Sequence, residues 1–134
     1  MSHDDLHRIF SPETLSILLP PDISDRFFDA LFGDPEEGAY DITLAFQGAS
    51  PDGAQLQFAL ELHQRPGRCL ACNLTHGLPE VFARHPVLNI AGLVQNIEKL
   101  LPQGRRCRDW RLGTTRQHSK ALHTVPLTVN LAAG

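Results

Sequence analysis

Twice between residues 40 and 63 the chain alternates large apolar side chains with polar or small ones at every step. Tyr40, Ile42, Leu44 and Phe46 are interleaved with Asp41, Thr43, Ala45 and Gln47. Leu56, Phe58, Leu60 and Leu62 are interleaved with Gln57, Ala59, Glu61 and His63. A period of two places each apolar set on one face of a strand, whereas a helix would scatter the same residues around its axis. The connecting Gly48-Ala49-Ser50-Pro51-Asp52-Gly53 is made of turn formers, so the two runs predict a β-hairpin. Two more alternating segments follow later. Cys107 to Leu112 directs Trp110 and Leu112 inward, and Leu122 to Leu131 gives one face to His123, Val125, Leu127, Val129 and Leu131. Pro126 has no N–H to give a ladder, which predicts an edge position or a bulge for this last strand. After the turn Gln64-Arg65-Pro66-Gly67-Arg68, the segment Cys69–Thr75 reads as a third strand with Leu70, Cys72 and Leu74 inward.

Around these strands the period lengthens. Ser11 as N-cap, Pro12 at the first helical position and Glu13 beside it open a helix, with Phe10 and Leu15 in staple positions. Asp22 can cap a second helix carrying Ile23, Phe27, Phe28, Leu31 and Phe32 on one stripe, stopped by Gly33. Pro79 opens a short helix with Val81 and Phe82. Asn89 caps a longer one bearing Ile90, Leu93, Val94, Ile97, Leu100 and Leu101 before Pro102 and Gly104. The resulting order, ααβββααββ, predicts one α+β domain over residues 1–134. It has two layers, a five-stranded, mostly antiparallel sheet with helices on one face. Residues 1–9 are expected to form a flexible leading segment.

The overall charge of −3 conceals a split, with residues 1–62 carrying a net −10 and residues 63–134 a net +7. Such asymmetry points to an interaction surface or to acidic helices packing beside basic strands. With 134 residues, a core can form without staples, and the three cysteines cannot all pair, which fits a reducing compartment. The polar, acidic start lacks the features of a secretory leader, and no run approaches the ~20 apolar residues of a membrane span. A cytoplasmic location is therefore expected, with no membrane partner.

Cys69-Leu70-Ala71-Cys72, with His76 and Cys107, supplies the residue types of a zinc site. On a regular strand, however, Cys69 and Cys72 point to opposite faces, which favours packed thiols. No other cofactor is implied. Arg105, Arg106, Arg108 and Arg111 form the densest basic run, continued by Arg116 and Lys120, and are the candidate partner-binding residues. With Trp110 in the core and a pI near 6.1, the run lacks the basic, aromatic character of a nucleic-acid binder. Phosphate-loop, nucleophile-elbow, zincin and dinucleotide motifs are absent, so no catalytic residue is assigned. Asp41, Glu61 and His63 can face one another across the hairpin, as a cleft or as a solvated sheet face.

Asp34-Pro35-Glu36-Glu37-Gly38-Ala39-Tyr40-Asp41-Ile42, Cys69-Leu70-Ala71-Cys72-Asn73-Leu74-Thr75-His76-Gly77-Leu78-Pro79 and Val125-Pro126-Leu127-Thr128 resemble a small bacterial family of uncharacterised proteins, over nearly the whole chain. Some members carry the label pancreas/duodenum homeobox-like protein. A homeodomain is three helices with a basic recognition helix, so that label implies nothing for a strand-rich chain. The family implies no activity and no site residues. In element order the chain also resembles type III secretion chaperones, which are small, acidic and dimeric. The expectation that follows is a non-enzymatic domain, compatible with a homodimer, that binds a protein or peptide. The alternative is a small-molecule or zinc-binding protein centred on Cys69 and Cys72.

Overall fold

The computed structural model describes residues 3–34, 40–67 and 78–132. Three helices lead, α1 (His3–Ile9), α2 (Pro12–Leu18) and α3 (Ile23–Phe32), followed by β1 (Tyr40–Ala49) and β2 (Gln55–Gln64). Then come α4 (Leu78–Arg84), α5 (Ile90–Leu100), β3 (Cys107–Leu112), β4 (Arg116–Ser119) and β5 (Leu122–Leu131). Within the described residues no helix is long and apolar enough to cross a membrane.

The strands form one antiparallel sheet in the order β1-β2-β5-β3, with β4 also paired to β5. The α+β architecture is thus the one expected from the period. The hairpin register sets Ile42 opposite Leu62, Leu44 opposite Leu60 and Phe46 opposite Phe58. Across β5, Leu56 meets Val129, Phe58 meets Leu127 and Leu60 meets Val125. These residues share one face, which is buried apart from the half-buried Phe46. All five helices deliver apolar side chains to that face, among them Leu6, Leu15, Phe27, Phe82 and Ile97. Phe27 stands edge-on to Phe82 at 5.5 Å, and Phe10 edge-on to Phe58 at 5.1 Å. Trp110, opposite Val129, packs half-buried against the same core, as its place in the alternation predicts.

Several expectations are corrected. Residues 3–9 form helix α1, which places Leu6 in the core at 2% exposure. Asp22 makes no capping hydrogen bond to α3; its carboxylate turns to Arg26, one turn on. Ser11 does cap α2, accepting from the Thr14 N–H at 3.3 Å, and Gly33 closes α3 in the left-handed region at φ 76°. The short strand β4 is not foreseen by the alternation, since all four of its residues are exposed. The predicted strand Cys69–Thr75 lies outside the described residues.

Pro126 gives the most informative correction. Its strand is neither an edge nor bulged there but sits at the centre of the sheet, between β2 on one side and β3 and β4 on the other. The Pro126 carbonyl accepts from the Gly113 N–H at 2.8 Å. A strand residue's N and C=O point the same way, so the missing donor faces the same side. There the chain has left β3 at Leu112 and has not yet begun β4 at Arg116. The break between two short strands absorbs the proline that one continuous neighbour would not tolerate.

A cationic trough on the open sheet face

The register that buries one face fixes the composition of the other. Two rows of longer polar side chains cross the sheet there. One is Thr43, Glu61, Thr124 and Arg116, and the other runs from Gln57 through Thr128 to Arg111. Between them lies a row of small residues, Ala45, Ala59 and Pro126, ending at Gly113. A β-bulge after Phe46 adds Gln47 beside this row. The consequence is a depression of about 610 Å³, floored by Ala59, Pro126 and Gly113 and walled by Gln47, Gln57, Arg111, Arg116, His118 and the two threonines. Ala59, at 1% exposure, and Thr124 and Thr128 are buried, although the register places all three on the face opposite the apolar core.

The walls carry more donors than acceptors. Thr128 donates to Gln57 Oε1 at 3.0 Å, which leaves the Gln57 amide N–H groups for something else. His118 Nε2 and Thr124 Oγ1 lie 2.8 Å apart, fixing the imidazole at the rim. The residues lining the depression include no carboxylate, and among the described residues Arg111 and Arg116 have no acidic partner. Among the described residues, two permanent cations thus line a recess without a carboxylate paired to either.

The basic run identified in the sequence is divided by its strand. Arg111 enters the trough. Arg105 turns away to donate to the Gly53 carbonyl at 3.2 Å, in the β1–β2 turn. Arg106 is exposed, its backbone carbonyl accepting from the Ala132 N–H. Arg108 lies 3.4 Å from its neighbour Asp109. The four do not make one patch. Arg116, placed by β4, is the partner of Arg111 instead, and only the pairing of both strands with β5 reveals this.

Asp41, Glu61 and His63 share the open face but do not converge. Asp41 Oδ1 accepts from Arg65 at 2.9 Å, and the same guanidinium reaches Asp25 Oδ1 at 2.9 Å. This bridge joins the acidic and basic halves of the chain locally and lies 5.4 Å over Phe28. Glu61 Oε1 lies 3.7 Å from His63 Nε2, and both contact the Thr43 hydroxyl, at 3.3 and 3.0 Å, on partly solvated side chains. Such a surface trio offers no enclosed acid–base pair.

Cys69, Cys72 and His76 lie outside the described residues. Cys107 is half-buried, its thiol 4.0 Å from the Val94 carbonyl and its N–H donating to Glu98 at 2.7 Å. Burial, with a contribution from Glu98, pushes the thiol up to about 11, which disfavours the thiolate a metal needs. Among the described residues, no three His, Cys, Asp or Glu side chains gather where a metal would sit.

No family model, curated protein or solved structure matches the chain. The geometry of the open face therefore carries the functional argument.

Proposed function

We propose that the protein is a non-enzymatic interaction domain that docks a segment of a partner protein or peptide in the trough across β1, β2, β5 and β3/β4. The observation that supports this reading is a recess with a small-residue floor and, among the described residues, guanidinium donors without acidic partners, on the sheet face opposite the helix-packed core. The exposed and half-buried members of its rows, Thr43, Arg116, Gln57 and Arg111 among them, offer hydrogen bonds. The helices and the buried sheet face form a rigid base beneath it, which keeps the entropy cost of binding low.

Filling the trough tests the reading. Gln57→Trp would place a ring over the floor, whereas Glu13→Trp, on exposed α2, changes bulk far from it. A partner identified with the wild-type chain should be retained by the Glu13 variant and lost from the Gln57 variant. Retention by both would remove the trough from consideration, and a chain that holds no partner at any ionic strength would remove the interaction role altogether.

A further inference from the structure

We propose that Arg111 and Arg116 form a subsite for side-chain carboxylates, so that the trough accepts an acidic peptide segment lying across the strands. The proposal rests on the docking role inferred above and specifies the chemistry of the occupant. Charge complementarity selects it. The two guanidiniums, each with five fixed N–H donors, are without acidic partners among the described residues. A carboxylate accepts from such a fork in a bidentate manner, and these charge-assisted bonds are about twice as strong as neutral ones. The Gln57 amide adds a further donor on the Arg111 wall.

Spacing suits a chain rather than a single ion. Arg111 pairs with Thr128 and Arg116 with Thr124. Four residues of strand separate the two walls, roughly 13 Å at ~3.3 Å per residue. That width admits an extended backbone over Ala59 and Pro126 with acidic side chains reaching either wall. The face is ill suited to a nucleic-acid strand. Among the described residues, no aromatic ring apart from the His118 imidazole lines the trough to stack a base. The indole of Trp110 belongs to the opposite face, and the chain's net charge is −3. Phosphate uses the same donors, so it serves as the contrasting probe.

The test is a titration of the full-length, isotope-labelled chain with hexaglutamate, hexalysine and inorganic phosphate, followed through the backbone amides. Hexaglutamate should shift Ala59, Gly113, Thr124 and Thr128, more weakly as salt rises. Arg111→Gln and Arg116→Gln should each weaken it by about tenfold, and Arg108→Gln, outside the trough, should leave it unchanged. Arg111 and Arg116 are exposed, so both variants should keep the wild-type amide spectrum in the absence of peptide.

Equal binding of hexalysine, undiminished hexaglutamate binding in both trough variants, or saturation of these amides by phosphate alone would each overturn the acidic-segment assignment. If hexaglutamate moves none of them while Gln57→Trp still releases a partner, the docking trough stands and its carboxylate subsite falls. If neither response occurs, both readings fall together.

Discussion

Cys107 and His123 show how burial, reinforced by a titratable neighbour, redirects a reactive side chain. With its thiol pushed up to about 11 from an ordinary 9.0, Cys107 should carry roughly a hundredfold less thiolate at pH 8 than a free cysteine. In a chain with Cys69 and Cys72 replaced by serine, alkylation of Cys107 should be slower by about that factor folded than in denaturant; equal rates would show the thiol to be accessible and ionised. His123 lies on the core face at 5% exposure, opposite Leu62, and its Nδ1 has no partner among the described residues. Burial, then the neighbouring His118, lowers its pKa below 6.5. Between the folded value and 6.5 the unfolded chain binds more protons, so stability is complete above pH 6.5 and declines as pH falls through that window. His123→Leu removes both the titration and the orphaned nitrogen. Denaturant melts should find it within ~1 kcal/mol of wild type at pH 7, with a flatter loss toward pH 5. A pH dependence as steep as that of wild type would assign the acid sensitivity to other groups.

At the scale of the element, helix α5 starts from an unusual residue. Asn89 adopts the left-handed conformation, φ 47°, and its Oδ1 accepts from the Gly92 N–H at 3.2 Å. The amide lies so close that a Cβ on Gly92 would stand 2.3 Å from Asn89 Nδ2. Asn89 tolerates this backbone better than most residues because its side chain bonds locally, and Gly92 makes room for it. Asn89→Ala should cost ~1–2 kcal/mol through the lost cap and the strained φ. Gly92→Ala should gain nothing in the wild-type chain, where it expels the cap, yet stabilise by ~1 kcal/mol once Asn89 is alanine. A thermodynamic cycle of the four proteins measures the coupling, and additivity would refute it. The same dependence of one residue on its neighbour's backbone explains Pro126, which reads as an edge signal in sequence and sits mid-sheet because its neighbour is broken.

For the molecule as a whole, the helical layer is joined to the sheet by polar contacts as well as by the core. Ser24, fully buried on α3, accepts the Ile42 N–H at 2.7 Å and so satisfies a backbone donor on the outer side of edge strand β1. Ser24→Ala would bury that donor unpaired, at a cost of ~1–3 kcal/mol. Denaturant unfolding should show the loss, and hydrogen exchange at Ile42 should accelerate; a protected amide in the variant would mean another acceptor had replaced the serine. The sequence by itself determined which side chains are buried together. Alternation segregates Ile42, Phe58 and Val125 from Thr43, Ala59 and Thr124 whatever the strand order, because side-chain direction repeats every two residues. It likewise determined the caps at Ser11 and Asn89, whose hydrogen bonds close within three residues. What only the tertiary structure decided is which polar residues become neighbours. Arg111 and Arg116 come to line one trough on either side of Pro126, and Arg105 parts from Arg111, because both β3 and β4 pair with β5, a choice made by long-range packing that leaves no local mark on either strand.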